Sequence, residues 1–408
     1  MRCRHCAAQL DLAFADLGSS PPSNSYLTPD GLSGPETWYP LRVLTCTNCW
    51  LVQTEDFAKR DEFFSEDYAY FSSFSDTWLR HAETYVATMA TRFGLGTDSF
   101  VAEVASNDGY LLQYVKARGI PCLGIEPTAS TADAAREKGI DVLQEFFGVE
   151  LAQRLVADGK SADLTAANNV LAHVPDINDF VKGFATVLKP SGVATFEFPH
   201  LMRLVAESQF DTIYHEHYSY LSLTAVQRIF DASGLTVFDV EEVPTHGGSL
   251  RVFACRSDAA RHEVTDCVGA LLERERAAGV ATLDYYRALQ GQAETIAVDL
   301  LTFLIDAKKG GKRVAAYGAA AKGNTLINFA GVRHHLLPWV VDRNPAKQGK
   351  FLPGSRVPIV SEERIHAERP DYILILPWNL RDEVMRQLAY IREWGGEFVT
   401  AIPSLRVQ

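Results

Sequence analysis

The sequence predicts an α/β protein in three regions: a small zinc-binding module, a Rossmann-like sheet of seven strands, and a second Rossmann-like α/β domain. Three observations carry this expectation. Two CxxC pairs stand near the start, short apolar runs alternate with helical stretches from Ser99 to Arg256, and the alternation resumes at Arg313 after a long helical interval. At 408 residues the chain also exceeds one ordinary core, and the expected regions are 1–75, 76–258 and 259–408.

Composition narrows the class. Hydrophobic content of 47% and aromatic content of 11% describe a globular chain. A net charge of −12 and a pI of about 5.4 argue against a nucleic-acid surface, which depends on fields of Lys and Arg. No run approaches the ~18 apolar residues of a membrane span, and MRCRHC lacks the apolar core of a signal peptide. The expectation is a cytoplasmic protein, a monomer or small homo-oligomer, with no nucleic-acid or membrane partner. In a reducing compartment paired cysteines hold metal more readily than disulfides, and Cys122, Cys255 and Cys267 are expected to be core thiols.

The N-terminal module opens on Cys3 and Cys6, and a Pro- and Gly-rich stretch separates them from Cys46 and Cys49 in TCTNCW. Two such knuckles can give a tetrahedral Zn²⁺ four thiolates and leave no open position. The gap between the pairs is longer than in common zinc ribbons. Redox-active CxxC pairs are the rival reading, but they normally open a helix in a βαβ unit, and that context is missing. Poor in apolar residues, the module would draw folding energy from the metal. The stretch DEFFSEDYAYFSSFSDTW that follows reads mostly as packing, with Tyr68 and Tyr70 flanking a hinge beside a shared cleft.

In the middle region FVAEVAS, CLGIEP, DVLQEFF, DLTAANNV and VATFEFPH read as parallel strands with helical crossovers. A helix is expected over residues 223–233, and LTVFDVEEV and GSLRVFACR, close together around THGG, form an antiparallel hairpin. A hairpin added to a parallel sheet is the layout of class I methyltransferases. The first strand exits into Glu103, Val104, Ala105, Ser106, Asn107, Asp108 and Gly109, whose single glycine disfavours a pyrophosphate. Glu126, at the tip of the second strand, is placed to accept hydrogen bonds from ribose hydroxyls. A helix cap by Ser106 or Asp108 and a surface Glu126 would explain either feature singly. Together, at adjacent strand ends, they favour a nucleoside. Asn168 and His173 follow at the same sheet edge.

Tyr214, His215, Glu216 and His217 put a phenol, two imidazoles and a carboxylate in four consecutive positions. Such a set can take a proton near neutral pH and stabilise developing oxyanion charge. A solvated loop and a metal-ligand pair at His215 and His217 are the rival readings. At the start of the C-terminal region a helical bridge of one or two helices leads to RVAAYGAAAKGNTLINFAG, read as a strand, a small-residue turn over residues 318–323 and a helix starting near Asn324. WVVDRNP ends a strand in Asp342, and YILILPW completes the sheet. The loop resembles a phosphate cradle, with Lys322 beside the helix N–H groups.

Two CxxC pairs, then ExxSNDG, NNVLAHVPD, FEFPHL, FDTIYHEHYSYLSL, HGGSLRV and YGAAAKGNTLIN run in this order through nearly the whole chain. In this the chain resembles the nucleotide-sugar C-methyltransferases, which methylate C-3 of dTDP-4-keto-deoxysugars, 3-amino members among them, in branched antibiotic sugars. The resemblance implies zinc on the four cysteines and S-adenosylmethionine around Glu103, Ala105, Ser106, Asn107, Asp108, Gly109, Glu126 and Asn168. It further implies His217 as base, with Tyr214, Glu216, His173 and Tyr68 around the sugar, and the substrate nucleotide in the C-terminal domain near Lys322, Asn324 and Lys350. Ala105 stands where many methyltransferases carry glycine. Two other readings are an O- or N-methyltransferase of a small metabolite and a zinc-containing binding protein without catalysis.

Overall fold

The computed structural model describes residues 1–57, 71–259 and 261–408. Tyr68 and Tyr70 therefore lie outside the described residues. The alternating apolar runs form three sheets among the described residues. In the first, β1 (Leu12–Ser20), β2 (Tyr39–Thr45) and β3 (Val52–Thr54) pair antiparallel, and the Cys46–Cys49 knuckle is the turn between β2 and β3.

The second sheet has a parallel centre of β4 (Val101–Val104), β5 (Cys122–Ile125), β6 (Val142–Leu143), β7 (Ala162–Asn168) and β8 (Leu188–Pro199). All four residues of β4 are buried, as expected of a strand covered on both faces by helices. The short β9 (Ser219–Tyr220) leaves this sheet altogether and pairs with β3, completing the N-terminal sheet. β10 (Leu235–Val243) and β11 (Ser249–Arg256) form the expected hairpin around THGG. The order β10-β11-β8-β7-β4-β5-β6 reverses direction between β4 and β7. Ligands of open α/β sheets bind in the crevice at such a reversal, outside the strands' carboxyl ends.

Helix 76–93 shows how the sheet is covered. The Ser75 hydroxyl caps it by accepting from Trp78 N, and Gly94 ends it in the left-handed region. Trp78, Ala82, Tyr85, Val86 and Met89 recur at helical spacing and are buried against Tyr110, Leu111 and Phe253.

Two helices, Asp266–Ala278 and Leu289–Lys309, bridge to the third sheet. This comprises β12 (Val314–Tyr317), β13 (Val340–Val341), β14 (Ile359–Val360), β15 (Tyr372–Ile375), β16 (Glu397–Thr400) and the antiparallel β17 (Arg406–Val407), in the order β14-β13-β12-β15-β16-β17. YILILPW thus forms a central strand and does not complete the sheet. The last two strands are too short to announce themselves by an apolar run. The helix after β12 begins at Ala321, so Lys322 sits in its first turn.

The three regions share their cores. One apolar cluster joins Cys46 and Leu51 to Phe196, Leu221 and Val226, and another joins Phe14 and Val43 to Phe210, Tyr286, Leu300 and Leu326. Cys255 is buried as expected, but Cys267 is exposed on the first bridging helix, whose apolar face is carried by Val268 and Leu271. Among the described residues no helix is long and apolar enough to cross a membrane.

Candidate active site

The four knuckle cysteines converge. Their sulfurs lie within 4.8 Å of one another, with Cys3–Cys49 and Cys6–Cys46 each at 3.5 Å. A tetrahedral Zn²⁺ with Zn–S bonds of about 2.3 Å needs sulfurs about 3.8 Å apart, so the set fits that ion. Both knuckles close alike: Ala7 N donates to Cys3 O at 2.9 Å and Trp50 N to Cys46 O at 2.8 Å. Gln53 Nε2 donates to Cys3 Sγ at 3.3 Å, an outer hydrogen bond of the kind that steadies a thiolate ligand.

At the carboxyl ends of β4 and β5 the backbone is tightly coiled, with Ala105, Asn107 and Gly109 at φ of 58, 49 and 75°. Glu126 ties the two ends together, accepting from Asn107 N and Thr128 N, both at 2.9 Å. It is buried, not on the surface. Ser106 packs inward against Gly124, and an added Cβ at Gly109 would collide with Ile140 Cδ1, so these two residues build the turn. Asn107 Oδ1 accepts from Ser72 N at 2.9 Å, and Asp108 faces Lys138 at 3.3 Å.

Glu103 is fully buried, and neither of its carboxylate oxygens makes a well-formed hydrogen bond, although the Tyr110 hydroxyl is near. Burial pushes its carboxyl well above the ordinary range. The polar atoms of the buried Asn168 side chain likewise make no well-formed hydrogen bond, although the Tyr110 hydroxyl is near them too. Unmet polar groups are costly inside a protein. Here they gather at the β4/β7 reversal, where the ammonium and carboxylate of S-adenosylmethionine would match them while Glu126 meets its ribose. Trp78 stacks on Tyr110 and leans on His246, walling this crevice with aromatic rings.

The YHEH segment lies on the other side of the crevice, and its two imidazoles diverge. His215 donates from Nε2 to Pro40 O at 3.2 Å and packs on Tyr39, so it anchors the loop to β2. His217 Nδ1 donates to Thr212 O at 2.7 Å. A carbonyl only accepts, so the proton of neutral His217 is on Nδ1, and Nε2 takes the Tyr214 hydroxyl at 2.7 Å. His173 has the same tautomer, donating from Nδ1 to Glu216 O at 2.9 Å, and its ring stands 4.6 Å from that of His217. Tyr214, His173 and His217 keep a minor part of their surface exposed, and burial desolvates both imidazoles. That desolvation holds His173 down at about 4 and His217 well below the usual imidazole value. The buried Glu216 carboxyl is pushed up to about 7.

The C-terminal domain packs against this segment. Thr325 donates to Ile213 O at 2.8 Å and Asn324 Nδ2 to Ser23 O at 2.6 Å. Lys322 Nζ donates to Asn379 Oδ1 at 2.8 Å and lies 4.6 Å over the Trp378 ring, whose N–H donates to Asp211 at 2.8 Å. Burial raises the Asp211 carboxyl to about 6. Lys347, not Lys350, reaches the loop after β12, donating to Ala319 O at 2.9 Å. Lys350 precedes Phe351, which bridges to Leu27 of the N-terminal module. A cleft of about 240 Å³ beside Val314, Pro338 and Trp339 opens at the amino end of β12, away from these groups.

Sequence reasoning did not single out Asn24, Tyr26, Asp211, His246, Lys347 or Trp378. Only HGG carried a usable signal. Gly247 and Gly248 have φ of 90 and 108°, and an added Cβ at Gly247 would strike Trp378, so that turn must be made of glycines to close on the C-terminal domain.

A nucleoside crevice at the sheet reversal, a base-bearing segment beside it and a four-thiolate knuckle define a zinc-containing, S-adenosylmethionine-dependent methyltransferase. Family models agree region by region: a putative zinc binding domain over residues 3–64, a methyltransferase domain over 78–240 and a C-methyltransferase C-terminal domain over 244–403. The chain is 34% identical over 405 residues to the C-methyltransferase NovU of Streptomyces niveus, covering 99% of this chain and 96% of that one. It belongs to this C-methyltransferase family. Similar solved structures include the magnesium protoporphyrin IX methyltransferase of Synechocystis PCC 6803 with bound S-adenosylmethionine, 15% identical, covering 44% of this chain and 79% of that one with a TM-score of 0.34. Another is the PH0226 protein of Pyrococcus horikoshii OT3, 16% identical, covering 49% and 100% with a TM-score of 0.38.

Proposed function

We propose that the chain methylates the carbon beside the ketone of a dTDP-linked 4-keto-deoxysugar, at C-3, in the building of branched deoxysugars. The observation that carries the proposal is His217, a neutral, desolvated imidazole with its basic Nε2 directed at a phenol. A ketone acidifies its neighbouring C–H because the carbanion delocalises onto oxygen, but water removes that proton too slowly at neutral pH. His217 Nε2 takes it. As Nε2 becomes N–H, the Tyr214 hydroxyl loses its acceptor and turns its proton to the C-4 oxygen, which is gaining negative charge. His173, its Nδ1 proton committed to Glu216 O, offers Nε2 to a sugar hydroxyl.

S-adenosylmethionine supplies the electrophilic methyl. The chain's role is to orient both reactants, and effective orientation is worth on the order of 7–11 kcal/mol. Glu103, Asn168 and Glu126 hold the donor. Lys322, with Lys347 on the loop after β13, holds the substrate nucleotide, and the buried Asn324 amide, taken up by Ser23 O, steadies the first turn of the helix after β12. Glu216, protonated near neutrality, returns a proton to the enolate when no methyl is taken up.

The test is deuterium exchange without methyl donor, over a panel of dTDP-4-keto-6-deoxyhexoses that includes 2-deoxy and 3-amino members. Enzyme-dependent exchange at C-3 is expected, followed by methylation there once donor is added. His217→Ala is expected to lose both reactions, by ~10²–10⁴ in rate, while still binding S-adenosylmethionine in calorimetry. Exchange at C-5 would move the reaction to the other side of the ketone. Methyl on oxygen or nitrogen without exchange would overturn carbon chemistry on these sugars.

A further inference from the structure

After β1 the chain runs through residues 21–27 as a strap from the zinc module, in contact with the YHEH loop at Glu216. It is fastened along its length to the C-terminal domain. Ser23 O accepts from Asn324, the Tyr26 hydroxyl donates to Ala319 O at 2.6 Å, and Leu27 exchanges backbone hydrogen bonds with Phe351 at 3.0 and 2.8 Å. Between these fastenings Asn24 turns the other way. Its Nδ2 donates to Glu216 Oε2 at 2.6 Å, its backbone also supports that carboxylate, and its Oδ1 lies 3.4 Å from the Tyr26 hydroxyl.

Glu216 is 2% exposed. The titratable groups around it are Tyr214 and His217 on its own loop, His173 beyond β7, Tyr26 on the strap, and Lys347 and Asp342 facing Tyr26 from the C-terminal domain. No salt bridge to the Glu216 carboxylate occurs among the described residues. The amide of Asn24 is the polar group that meets it.

We propose that Asn24 of the zinc module is a positioning residue of the reaction, holding the Glu216 carboxyl in the orientation from which it returns a proton to the sugar. This rests on the role of Glu216 in the proposed reaction. In the step itself His217 breaks the C–H bond by taking its proton, which it later releases to solvent. The Glu216 O–H bond then breaks as a new C–H bond forms at the enolate carbon, and solvent reprotonates the carboxylate. Asn24 fixes which oxygen faces the sugar. Because its N–H favours the ionised carboxylate, Asn24 also sets the pH at which Glu216 stops being a donor.

The experiment measures donor-free deuterium exchange against pH in the full-length zinc-loaded enzyme, with Asn24→Ala, Asn24→Asp, Asn24→Gln and Glu216→Gln. Wild type should lose exchange as pH rises past about 7, where the Glu216 carboxyl ionises. Asn24→Ala should slow exchange roughly tenfold at neutral pH, leave the substrate KM within about twofold, and move the limb up by about one pH unit. Asn24→Asp, which keeps the size and shape of the side chain, should move it further, since two adjacent carboxylates share a proton. Asn24→Gln should restore some of the rate. If Glu216→Gln keeps the wild-type profile, the reading of Glu216 itself falls. If Glu216→Gln abolishes the limb while Asn24→Ala and Asn24→Asp leave it in place, only the role of Asn24 falls.

Discussion

Thr212 chooses the tautomer of His217, and Tyr214 meets the nitrogen that results. Tyr214→Phe therefore leaves Nε2 basic but removes a donor from the enolate oxygen. A loss of ~10²–10³ in kcat is expected, with S-adenosylmethionine affinity unchanged in calorimetry. At this scale the sequence is legible where residue type and spacing carry the chemistry. His215 and His217 diverge because the chain turns at His215 and Glu216, sending one ring to Pro40 O and the other to Thr212 O, and that turn is not written in the spacing. Asn24 is illegible for another reason. It bonds to a residue 192 positions away, and no local pattern announces a partner at that range.

The turn between β4 and the next helix was readable as one element, and its glycine can be tested as such. Gly109→Ala meets both a left-handed backbone and Ile140 Cδ1, and should cost roughly 2–4 kcal/mol in thermal or denaturant unfolding. Ile140→Val removes that methyl and should recover some of the loss in the double variant. Ala105, already left-handed at φ 58°, behaves differently. Ala105→Gly relieves about 1 kcal/mol of strain but gains unfolded-chain freedom of similar size, so stability should change by less than about 1 kcal/mol and donor binding should persist. Long periodic elements such as helix 76–93 declared themselves in the sequence. β9, β16 and β17 did not, since two to four residues cannot establish a period of two.

The three-region layout was legible in the order of motifs, but the merging of the regions was not. Shared cores depend on which apolar faces meet, and amphipathic patterns do not name their partners. Trp50 is a case in point. It holds φ of 63°, unfavourable for so bulky a residue, while its ring stacks on Tyr286 at 5.7 Å and binds the knuckle to the bridging segment. Chelation of zinc is accordingly expected to lower the melting temperature and methyl transfer together, in one cooperative transition. Cobalt in the same four-thiolate site should restore both, since the ion has no open position for chemistry. Two separate transitions, or activity that outlasts the metal, would contradict this coupling.

The pairing of β3 with β9 has a bearing on how the protein is made. During synthesis the N-terminal sheet leaves the ribosome with the outer edge of β3 bare, and it stays bare until Ser219 and Tyr220 emerge far later. An unpaired strand edge invites a neighbouring nascent chain to bind there. Zinc loaded early would hold the knuckle and keep that edge in register while it waits. Cells starved of zinc should then show newly made chain in the insoluble fraction and little folded but inactive enzyme.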